Sequence, residues 1–78
     1  MELGLTNEQK IQSANVLKTR FCTEMYSVLL SVGIDPDTFD AETWTAPQMA
    51  SPGAGRYARI IEIIEAINLI DAKIAELS

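Results

Sequence analysis

Histidine is missing from the 78-residue chain, and cysteine occurs once, as Cys22. With no histidine and no cysteine pair there is no ligand set for a structural zinc, and a lone thiol closes no internal disulfide. A single domain this small draws only ~3 to 5 kcal/mol from its core unless something staples it. Oligomerisation is the remaining staple.

Basic residues are scarce. Six stand against eleven acidic ones, giving a net charge of -5 and a pI near 4.4. They are dispersed (Lys10, Lys18, Arg20, Arg56, Arg59, Lys73) rather than gathered into a stripe. Such a balance repels phosphate backbones and anionic membrane surfaces, so neither nucleic acid nor membrane is expected as a partner. Charges interrupt every apolar run well short of the ~20 residues that span a bilayer, and the first residues lack the charged-then-apolar pattern of a signal peptide. A soluble, cytoplasmic chain is the expectation. No strand-like alternation and no internal repeat occur either.

What the chain has in quantity is branched aliphatic side chain near its end. Ile60, Ile63, Ile67, Ile70, Ile74 and Leu77 recur in steps of three and four, a heptad seam. Tyr57, Ile61 and Ile64 lie beside it, so the apolar arc covers roughly 220° at about 100° per residue. One neighbouring helix cannot cover that arc. The last helix is expected to pack between at least two partners, one of them from another copy or another protein.

Thr6 with Gln9 three residues later fits a capping box and predicts a helix over about 6–32. Its apolar stripe is Ile11, Ala14, Leu17, Phe21, Met25, Val28 and Val32, widened near the end by Tyr26, Leu29 and Leu30. Gly33 ends it, because glycine enters the left-handed conformation without a Cβ penalty, and Ile34 can then fold back on Leu29. Asp35, Pro36 and Asp37 read as N-cap, first-turn proline and helix-start carboxylate, with Ile34 and Phe39 as a staple, predicting a short acidic helix over about 36–42. Pro47, Pro52, Gly53 and Gly55 then predict a loop over about 43–56, and the last helix runs over about 57–77.

Lys18 falls inside the first apolar stripe and Asp71 inside the isoleucine arc. An antiparallel register with Val32 opposite Tyr57 sets Lys18 opposite Asp71. Either the two form a partly buried ion pair that selects register, or the lysine snorkels to the edge and the aspartate faces solvent. Asp35, Asp37, Asp40 and Glu42 crowd four carboxylates together, but a calcium loop needs an oxygen ligand and then glycine where Phe39 and Asp40 stand. Capping is the expected role.

Gly53 and Gly55 before Arg56 resemble a fragment of a phosphate cradle, yet the preceding strand, the third glycine and a Gly-Lys-Ser/Thr ending are all missing. A flexible joint is expected. Arg56 and Arg59 oppose the dipole of the helix they begin, which points to a carboxylate on a partner or neighbouring subunit. Cys22 shares a face with Phe21, Met25 and Leu29 and is expected to be a buried thiol with no histidine base, so catalysis is not expected. Trp44 is either a plug over the hairpin end or a contact anchor for a partner.

The run Tyr57, Ile63, Ala66, Ile70, Asp71, Ala72, Lys73 and Ile74 resembles the terminal helix of small head-to-tail joining proteins of tailed bacteriophages. That resemblance implies a short protein assembling as a ring of identical copies at the portal vertex, made in the host cytoplasm and carried into the virion, with no catalytic residue.

The sequence therefore predicts an all-α helical hairpin of two long helices, with a short acidic helix and a proline and glycine loop between them, in an oligomer. Isoleucine at both core positions favours trimers or tetramers when helices run parallel. The expected function is structural. Ile60, Ile63, Ile67, Ile70, Ile74, Leu77, Trp44, Arg56 and Arg59 form the interface with further copies or a larger assembly, without cofactor, metal or small-molecule substrate. The other class is a small regulatory adaptor, an antitoxin or enzyme-inhibiting subunit, that presents an acidic helical surface to one specific protein.

Overall fold

The structure is a computed structural model and describes residues 3–45 and 54–78. Two helices, α1 (Asn7–Ser31) and α2 (Ala54–Leu77), account for most of those residues, and no strand occurs among them. They run antiparallel: residues 18, 24 and 31 of α1 meet residues 71, 59 and 56 of α2 in turn. The chain is an elongated hairpin, 46 × 27 × 19 Å, with a Cα radius of gyration of 15.0 Å. A globular chain of this length would have about 11 to 12 Å.

The ends of α1 follow from local chemistry. Thr6 Oγ1 accepts from the Gln9 amide at 3.2 Å, and Gln9 Oε1 accepts from the Thr6 amide at 3.0 Å, so two orphan donors are satisfied reciprocally. At the other end Gly33 takes a φ of +79°. That turn lets the Ile34 amide reach the Leu29 carbonyl (3.0 Å) and the Gly33 amide reach that of Leu30 (3.2 Å), a Schellman closure.

The short helix expected over 36–42 does not form; two successive turns stand there, at 36–38 and 41–43. The aspartates explain the difference. Asp35 Oδ1 accepts from the Asp37 amide and Asp40 Oδ1 from the Glu42 amide, both at 3.0 Å. A side chain that satisfies the backbone two residues on competes with helical pairing. The loop expected over 43–56 falls mostly on 46–53, outside the described residues, and α2 begins earlier than 57, so Gly55 and Arg56 are helical.

Among the described residues, Met25, Leu29, Ile60, Ile63 and Ile70 are the buried ones. The first four form one cluster, ringed by Phe21, Val28, Val32, Ile34, Phe39, Trp44, Tyr57, Ile64 and Ile67. All of these lie toward the connection. The segment after α1 therefore acts as the second cover for the wide isoleucine arc. Over Ile60 to Ile67, Ile34, Phe39 and Trp44 supply from within the chain a cover that was expected of another molecule.

Candidate functional site

The isoleucine seam faces inward. Ile60 and Ile63 are 0% exposed and Ile70 8%, all within the one folded chain. Ile67 is half-buried against the core cluster, and Ile74 and Leu77 are half-buried farther along α2. Ile60, Ile63 and Ile70 cannot serve as a docking face while the hairpin is folded; α1 already occupies that side of the seam. What α2 leaves outside is Leu69, 73% exposed, and Ile61, 40% exposed.

Lys18 Nζ donates to Asp71 Oδ1 at 2.7 Å, with side chains 38% and 49% exposed. Their hydrogen bond, more than the charge alone, raises the lysine pKa. The pair crosses from α1 to α2 at the edge of the seam, where each long or charged side chain keeps water contact. It fixes register.

Arg59 grips Glu24 with both arms, Nε donating to Oε2 and Nη2 to Oε1 (2.7 Å), and its Nη1 donates to Glu62 Oε2 at 3.1 Å. The hydrogen bond from Arg59 lowers the Glu24 pKa. Arg56 Nη1 donates to the Ser31 carbonyl at 3.3 Å. Both arginines thus have partners within the chain. The antiparallel hairpin explains why: the start of α2 lies beside the end of α1, where cations complement the dipole and α1 has no basic residue of its own.

Trp44 is half-buried between Phe39 and Tyr57, with ring centroids 5.7 and 6.2 Å away and planes tilted by 58° and 37°. It plugs the hairpin end. Cys22 is exposed, contrary to expectation, because its position on α1 turns about 60° past Met25, outside the contact with α2. The four carboxylates 35–42 are exposed turn residues, and no group of three metal-ligating side chains occurs among the described residues. Gly53 lies outside the described residues.

One surface departs from the expected pattern: Leu17, Tyr26 and Leu30, read as part of the apolar stripe, are exposed. Gln12, Asn15, Val16, Thr19, Cys22, Thr23, Tyr26, Ser27 and Leu30 form an exposed arc of α1 without a single charge. The signal was present as a run without ionic side chains at helical spacing, hidden because the residues are polar and apolar in mixture.

Comparison of the chain with family models, curated proteins and solved structures finds no match. No helix among the described residues is long and apolar enough to cross a membrane.

Proposed function

We propose that this chain is a non-enzymatic assembly protein, which self-associates or docks into a larger complex through its helical surfaces. One observation carries the reading. Five side chains are buried among the described residues, whereas eight large apolar ones are exposed: Leu3, Leu5, Val16, Leu17, Tyr26, Leu30, Ile61 and Leu69. Scattered exposed leucines are ordinary on a globular domain, but eight large apolar side chains in water beside five buried ones is a high share for so small a chain. A small elongated hairpin gains stability by covering them.

The resemblance of the last helix to phage head-to-tail joining proteins supplies the most specific form of the proposal: a ring component made in a host cytoplasm and incorporated at the portal vertex of a virion. Light scattering at micromolar concentration tests the reading. A defined homo-oligomer is the expected result. A monomer that gains mass only when a heterologous protein is added would replace it with the adaptor reading.

A further inference from the structure

We propose that α1 pairs with α1 of a second copy, antiparallel, along the seam Gln12, Val16, Thr19, Thr23, Tyr26 and Leu30. This rests on the self-association reading and names its face. The six residues step by four and three, so they share one side of the helix, and every one is exposed. A shallow depression of about 510 Å³ runs along one edge of that side, past Lys18, Thr19, Cys22, Thr23 and Tyr26.

Charge selects the occupant. Each copy carries a net charge of -5, so two copies approach at least cost where neither presents an acid. Between residues 12 and 30 the ionic side chains of α1 are Lys18, Arg20 and Glu24. Lys18 is tied to Asp71 and Glu24 to Arg59. Arg20 borders the arc, where its long stem lets the guanidinium stay in water. A cationic partner would instead meet Glu65 on α2, while Glu62 and Glu76 already face Arg59 and Lys73.

The seam is also ready to lose water. Thr19 Oγ1 donates to the Asn15 carbonyl at 3.0 Å and Thr23 Oγ1 to the Thr19 carbonyl at 2.9 Å. Their hydroxyl protons are satisfied within α1, so covering the threonines leaves no stranded donor. An isologous pairing centred on Phe21 sets Thr19 opposite Thr23, Val16 opposite Tyr26 and Gln12 opposite Leu30. Small residues at the centre allow close approach, with larger apolar ones on either side. Area agrees as well. The chain exposes 5768 Å², against about 4,700 Å² for a compact chain of its mass. The surplus exceeds the ~800 Å² per partner that a standard interface buries.

The test is sedimentation equilibrium of the wild-type chain, Thr23→Asp and Val16→Lys, with a short bis-maleimide as probe of Cys22. The wild type is expected to be dimeric and to link Cys22 to Cys22 of the second copy. Thr23→Asp sets an acid about 6 Å along the axis from its own copy, and Val16→Lys sets a lysine against Tyr26 of the second copy, so each should raise the dimer Kd by about a hundredfold while helicity, read by circular dichroism, is kept. A wild-type oligomer whose Kd neither variant changes and whose thiols do not link overturns the face while leaving self-association in place. A wild type that stays monomeric overturns both.

Discussion

The two ends of the hairpin are built differently. Toward the connection, α1 offers Phe21, Met25, Val28, Leu29 and Val32 to Ile60, Ile63, Ile64 and Ile67, and Phe39 and Trp44 close the open side. Toward the termini, α1 offers Ile11, Ala14 and Lys18, of which none is buried, and the facing α2 residues hold one buried side chain, Ile70. The same isoleucine spacing runs through both halves of α2. What differs is the partner stripe: alanine and lysine cannot fill the space that phenylalanine, methionine and leucine fill. A regular seam therefore has a packed end and a lightly packed end, the latter held by a capping box and an ion pair.

The largest test of that contrast compares one isoleucine at each end. Ile63→Ala removes a fully buried side chain and should cost about 2 to 5 kcal/mol, as much as a domain of this size has to lose. Far-ultraviolet circular dichroism should then show a chain largely unfolded at 25 °C. Ile74→Ala, at a half-buried position, should cost under about 1.5 kcal/mol and leave a cooperative melt. Equal losses would erase the difference between the ends.

Much of this asymmetry was legible in residue patterns, and some was not. Thr6 with Gln9, and Gly33 before Ile34, announced both ends of α1 because caps are local chemistry. Lys18 and Asp71 stood out because each charge interrupts an apolar stripe, and a common antiparallel register sets them opposite each other. Three readings depended on tertiary context. The inward direction of Ile60 and Ile63 required knowing that residues 34–44 fold back as a second cover. The partners of Arg56 and Arg59 required knowing that the start of α2 lies against the end of α1. The aspartates of 35–42 carry signals for both a helix start and an Asx turn, and only the backbone they cap decides between them.

Trp44→Ala sharpens the contrast next. Removing a half-buried ring that bridges Phe39 and Tyr57 should cost about 2 kcal/mol, less than truncation of a fully buried aromatic. The loss should be regional. Amide exchange is expected to accelerate at 57–64 and to change little at 70–77. Uniform acceleration along α2 would mean that the two ends open as one unit. Thr6→Ala acts at the opposite end and more weakly. Loss of the N-cap should cost about 1 kcal/mol, with exchange rising in the first turn of α1 and not near Met25.

The smallest effects come from the two cross-helix ion pairs, and pH separates them. Arg59 lowers the Glu24 pKa below its ordinary 4.5. A depressed carboxylate contributes stability above its unfolded value and loses it as pH falls through the folded one, so acid strikes the packed end. Asp71 raises the Lys18 pKa above its ordinary 10.5. A raised lysine contributes below its unfolded value and loses that contribution as pH climbs through the folded one, so alkali strikes the lightly packed end. Melting profiles of Glu24→Gln should therefore lose part of their acid slope, and those of Lys18→Met part of their alkaline slope. Lys18–Asp71 is exposed and Arg59–Glu24 part-buried, so both shifts should shrink in 1 M salt, where screening acts within about 3 Å, the lysine's more. In a double-mutant cycle, Lys18→Met with Asp71→Leu should couple measurably at low salt. A cycle that closes with no coupling would leave the terminal end held by its cap and Ile70 alone.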